Sequence, residues 1–156
     1  MTTIVCYDPH GQPVPVAANT LTFRPASYGI FTENNEILLL QNVENGWLTW
    51  PGKVLQEGER PYPAISRVYH LLTGIIPLVG KLVAMEDLYQ VDNDGHAWHI
   101  SAMFYWLERP SATSLSLTAT DDNFQPRMIP AVSIRRSQLQ FGYQALQIAL
   151  RRLQIA

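Results

Sequence analysis

The chain has 156 residues, 47% of them hydrophobic and 15% charged, with a formal net charge of -2 at pH 7. That length suits a single domain, 1–156, with a full core, and the near-neutral charge excludes a general nucleic-acid binder, which needs a basic face for phosphates. No apolar run approaches a membrane span, no basic-then-apolar leader is visible, and one cysteine, Cys6, cannot form an internal disulfide, so the expectation is a cytoplasmic protein with no membrane partner.

Residues 1–22 read as an amino-terminal hairpin ahead of a core over 23–156. Ile4–Tyr7 is strand-like, Asp8–Gly11 is a turn, and Pro13–Val16 returns. Prolines in the return arm place it at an edge, since proline has no N–H for a central ladder. Cys6 reads as a buried strand residue. Two strands follow, Tyr28–Phe31 and Glu36–Gln41, joined by Thr32–Asn35, where Asn-Asn suits a tight hairpin. Ile37–Leu40 is apolar on both faces and is expected between two layers.

Trp47–Trp50 then leads into a segment with strong local punctuation. Pro51-Gly52 and Glu57-Gly58 mark a loop, Pro61 and Pro63 sit at a helix entry, and Gly74 is placed to end that helix in the left-handed conformation. From Ile65 to Leu72 the apolar residues are Ile65, Val68, Tyr69, Leu71 and Leu72, leaving only Ser66, Arg67 and His70 as polar positions. Ile65, Tyr69 and Leu72 form one stripe, and Val68 and Leu71 broaden it.

Beyond it, Leu82–Met85 and Leu88–Val91 read as strand material around Glu86-Asp87. Asp92–Gly95 is a strong turn, and Trp98–Leu107 is a long aromatic strand hairpinned to what precedes it. Residues 109–126 read as a loop and Pro130–Leu139 as a short strand with a turn. Phe141–Leu153 reads as an amphipathic helix, from the spacing of Leu146, Ala149, Leu150 and Leu153.

The segment 52–75 resembles the box of the Nudix superfamily, whose pattern is G-x5-E-x7-R-E-U-x-E-E-x-G-U with U aliphatic. Anchored on Glu59, the pattern finds Arg67, Gly74 and Ile75 at the required offsets, although Lys53 stands where the pattern has its own glycine. The resemblance implies the Nudix fold, an α+β arrangement with a mixed β-sheet sandwiched between α-helices. It also implies a relation to hydrolases of nucleoside diphosphates linked to another moiety. In the family three glutamates of the box helix hold divalent cations, usually magnesium, against the diphosphate. Their places here are taken by Val68, Leu71 and Leu72, which offer a hard cation no oxygen. The scaffold is expected to remain and the metal site to be lost, with that face of the helix covered by another part of the chain or by a second subunit.

Other groups are candidates for the lost chemistry. Glu59 and Arg67 match positions that brace the loop on the helix, an architectural role. Glu57 and Glu59 would by themselves make only a weak metal site. Glu86-Asp87 and Asp121-Asp122 are adjacent acid pairs that could take over, the latter in a late loop where the family can place a catalytic base, and adjacent loop acids are more commonly solvated turn residues. His96 and His99 would face opposite sides of a strand. Trp50, Lys53, Arg60 and Arg67 lie where a ligand would approach the box, with Trp47, Trp98 and Trp106 as further stacking candidates. The residues support a non-catalytic or very weak ligand-binding protein taking a nucleotide-like small molecule, with no cofactor. The alternative is an active hydrolase that holds magnesium or manganese on relocated carboxylates. A protein-interaction module that forms a homodimer through the apolar box helix is a third reading.

Overall fold

The computed structural model describes residues 2–110, 117 and 123–153. At the amino terminus β1 (Thr3–Tyr7) and β2 (Pro13–Ala17) form the expected antiparallel hairpin, with β2 at the sheet edge where its prolines cost no ladder bond. Next come β3 (Thr22–Glu33) and β4 (Glu36–Asn42), joined through Asn34 and Asn35, both at positive φ (53° and 61°). This is the two-residue turn that the asparagine pair favours. β5 (Leu48–Thr49) and β6 (Gly52–Val54) precede helix α1 (Pro61–Thr73). The hairpin of β7 (Leu78–Val91) and β8 (Ala97–Glu108) follows, then β9 (Phe124–Pro130) and helix α2 (Tyr143–Arg152).

Among the described residues the strands form one mixed sheet in the order β2-β1-β7-β8-β3-β4-β5, with β6 added to β3 and β9 to β4. The long central contact is parallel, β3 on β8 from Thr22↔Trp98 to Phe31↔Leu107. Period-two alternation divides the core between the two helices. Ile30, Ile37, Leu39 and Phe104 pack with Leu146 and Ala149 of α2, while Phe31, Leu38, Tyr105 and Leu107 pack with Ile65 and Tyr69 of α1. The expected α+β sandwich is therefore present, with Ile37–Leu40 buried between layers.

β3 and β4 pair over only two positions, Thr32↔Ile37 and Glu33↔Glu36, and then part. Beyond the fork β3 takes β6 as its neighbour and β4 takes β5, while β9 runs along the other side of β4 throughout. This fork opens the cleft described below.

Three expected elements differ. Leu82–Met85 and Leu88–Val91 are one continuous strand, because β8 pairs across Glu86 and Asp87 and overrides the poor strand propensity of the two acids. The 109–126 loop ends earlier than expected, because Phe124–Pro126 already belong to β9. Pro126 and Pro130 are tolerated there since β4 is its partner on one side alone. Pro130–Leu139 is not a strand. Two short 3₁₀ turns, Ala131–Ser133 and Arg136–Gln138, follow β9 instead.

Candidate functional site

The box begins on the sheet. Gly52 approaches β3 so closely that a Cβ would collide with the backbone of Ser27 and Tyr28, so glycine is the residue that lets β6 dock there. The loop after it is pinned at several points. Leu55 N donates to Pro25 O at 2.8 Å, Arg24 Nη2 donates to Leu55 O at 2.6 Å, and Ser27 Oγ donates to Pro61 O at 3.1 Å. Helix α1 ends at Gly74, whose φ of 83° is left-handed and whose N–H donates to His70 O.

Glu59 is the hub of the loop. One carboxylate oxygen accepts the Gln56 N–H at 2.8 Å, Lys53 Nζ lies 3.3 Å from that same oxygen, and the other oxygen pairs with Arg67 of α1. The Gln56 backbone bond, with help from Lys53 and Arg67, holds the Glu59 carboxyl below the usual glutamate range. Glu59 and Arg67 thus occupy each other, and Lys53 joins them. Arg60 is the exposed N-cap residue of α1, and Glu57 is exposed. Trp50 is not on the lip of the loop: it is 1% exposed, packs edge-on against Phe104, and donates its indole N–H to Phe141 O at 3.1 Å.

The three positions that carry metal ligands in the family pattern are hydrocarbon and diverge. Val68 is 5% exposed and belongs to the interior. Leu72 is half-buried and lines a cavity, and Leu71 is 60% exposed, so the chain covers only part of this face. Glu59 has both oxygens engaged. The residues present do not fit a divalent cation, and among the described residues no three His, Cys, Asp or Glu side chains converge on one. His96 bonds Thr22 and His99 bonds Asp87, each at 2.9 Å, so the two histidines serve separate contacts. Asp121 and Asp122 lie outside the described residues. Cys6 is buried, which pushes its thiol pKa up and makes it a poor nucleophile.

Two cavities adjoin here, the first of them in the fork. One, of about 290 Å³, lies between Tyr28, Leu40, Trp50, Leu72 and Phe124. The second, of about 390 Å³, is walled by Tyr7, Trp47, Leu139 and Phe141, with Glu86 and Gln90 on its sheet side. Gln140 lines both. Glu86, expected with Asp87 to be a solvated turn residue, is instead part of a strand. Within β7 it takes the N–H of Gly142, the N-cap of α2, and burial pushes its carboxyl pKa up. Its Oε2 is buried without a hydrogen-bond partner among the described residues. Trp98 and Trp106 are no stacking platforms for a ligand, since Arg24 and Arg152 lie over their rings at 5.7 and 4.2 Å.

This layout is that of the Nudix fold. A MutT Nudix hydrolase from Burkholderia pseudomallei superposes with a TM-score of 0.63 at 19% identity, covering 85% of this chain and 98% of that one. An ADP-ribose pyrophosphatase from Streptococcus suis gives 0.63 at 11% identity, over 85% and 92%. A Nudix hydrolase from Nitrosomonas europaea gives 0.61 at 15%, over 96% and 84%. Neither a family model nor a curated protein matches the sequence. At these identities the likeness establishes the fold, and the chemistry has to be argued from the residues. No helix among the described residues is long and apolar enough to cross a membrane.

Proposed function

We propose that this chain is a small-molecule-binding protein built on the Nudix fold that does not turn its ligand over. The observation that carries this reading is the hydrocarbon triplet Val68, Leu71 and Leu72 at the cation positions. Losing three carboxylates together removes both the ligands for the metal and the charge that concentrates it. Metal-assisted phosphoryl chemistry then has no Lewis acid to stabilise developing charge. Glu59 does not replace them, because Lys53 and Arg67 already neutralise it.

The test is a hydrolysis panel of ADP-ribose and other nucleoside diphosphate derivatives with magnesium or manganese. No turnover above the metal-only rate is expected. A manganese-dependent rate that disappears on Asp121→Ala or Glu57→Ala would instead establish the relocated-carboxylate enzyme. The exposed Leu71, together with Ile76 at 57% exposure just past the helix, also favours self-association through this end of α1. In that case sedimentation velocity detects a dimer that Leu71→Lys dissociates.

A further inference from the structure

We propose that the two-part cleft takes an uncharged, planar, phosphate-free molecule, and that it discriminates against nucleotides. This rests on reading the cleft as a non-catalytic binding site and names the class of its ligand. Proteins hold phosphates with three devices, and the cleft is poor in each. Metal is the first, and the hydrocarbon triplet excludes it. Cationic side chains are the second. All 11 lysines and arginines and all 4 histidines lie among the described residues, and none of them lines either cavity. The nearest cations of the box, Lys53 and Arg67, are held by Glu59.

Helix N-termini are the third device, through their free N–H groups and dipole. At α1 two of the first three residues are prolines, Pro61 and Pro63, which have no N–H to offer. At α2 the Glu86 carboxyl already takes the Gly142 N–H and sets an acid at the helix start, where it competes with an incoming anion, and it also lines the larger cavity. A diphosphate here would lie beside a carboxyl group and apolar walls with no compensating charge, a costly arrangement.

What the cleft does offer is flat apolar surface. Tyr28, Trp50 and Phe124 line the smaller part and Tyr7, Trp47 and Phe141 the larger, with Tyr28 and Phe141 in edge contact at 4.8 Å across the junction. Leu72 closes the smaller part where the pattern has an acid. Its neutral polar groups are few, Thr49 and Gln140 on one side and Gln90 and Ser137 on the other, and its charged ones are the acids Glu86 and Asp87, which repel a phosphate. Aromatic walls with a few fixed hydrogen-bonding groups suit a heteroaromatic or arylamine ligand.

The test uses N-phenyl-1-naphthylamine, an uncharged planar amine that brightens in apolar surroundings, with the full chain. The expected result is a saturable signal of one site per chain that ADP and ADP-ribose do not displace. Leu72→Lys and Gln140→Trp each weaken it roughly tenfold or more by placing charge or bulk in the cleft. Phe23→Ser, which alters an exposed aromatic outside both cavities, leaves it unchanged. Leu72→Lys also gains affinity for ADP. The proposal is overturned if the probe does not bind saturably, if Phe23→Ser and not the cleft variants removes its site, or if ADP-ribose displaces it. Displacement without cleavage would sink this ligand class and leave the non-catalytic reading standing, whereas displacement with cleavage would sink both.

Discussion

The Lys53 ammonium lies 3.3 Å from the carboxylate of Glu59, six residues on, so an intramolecular cation neutralises the acid of the box loop. Together with Arg67 and the Gln56 N–H it ties β6, the loop and α1 at one point. Glu59→Gln is expected to lower the melting temperature and speed amide exchange across the loop, with the difference shrinking as salt is added. The Glu59 pKa is lowered on folding, so its contribution is present above the ordinary glutamate range and is lost as pH falls through the folded value. Thermal scans of both proteins across acid pH check this, and the two melting temperatures should converge at low pH.

Glu86 titrates in the opposite sense. Burial raises its folded pKa above the ordinary value, so the native state binds the proton more tightly than the unfolded chain. Its effect on stability is therefore most favourable below the ordinary carboxylate range and is lost as pH rises through the folded pKa. Glu86→Gln keeps an oxygen for the Gly142 N–H without the charge. The variant should match wild type near pH 4 and exceed it near pH 8, on the reference scale of carboxylate titration. Urea midpoints across that range check the sign.

The three hydrocarbon positions should respond unequally to acids. Val68→Glu forces a carboxyl into a 5%-exposed site and should cost roughly 3 kcal/mol or more. Leu71→Glu lies at 60% exposure and should stay within about 0.5 kcal/mol of wild type. Denaturant unfolding of the two variants decides this, and equal costs would mean that the helix is rotated from the position described.

Trp50 joins the entry of the box to the entry of α2 through its bond to Phe141 O and its edge contact with Phe104. Trp50→Phe leaves that carbonyl without the indole donor and should cost about 1–3 kcal/mol. The loss should appear as faster exchange of amides in both β6 and the first turn of α2.

How much of this was legible beforehand follows from where each signal resides. The Asn34-Asn35 hairpin, the Gly74 stop and the brace of Glu59 with Arg67 rest on local chemistry at fixed spacing, and each formed as read. Strand β6 was not seen, because Gly52–Val54 is a strand only where β3 has parted from β4 and accepts a new neighbour. The burial of Glu86, expected to be a solvated turn acid, was hidden for the same kind of reason. Its hydrogen-bond partner, the Gly142 N–H, is remote in the chain and comes to β7 only when α2 packs on the sheet. Trp50 looked like a lip residue, yet its ring is needed by Phe104 and Phe141 in the core.

The most direct measurement of the central claim is a manganese titration followed by electron paramagnetic resonance, in which bound Mn²⁺ loses the sharp signal of the free ion. With no oxygen at positions 68, 71 and 72, and Glu59 already paired, the signal should match buffer up to millimolar metal, with or without ADP-ribose. Loss of the free-ion signal at micromolar manganese, reversed by Asp121→Ala or Glu57→Ala, would contradict the account.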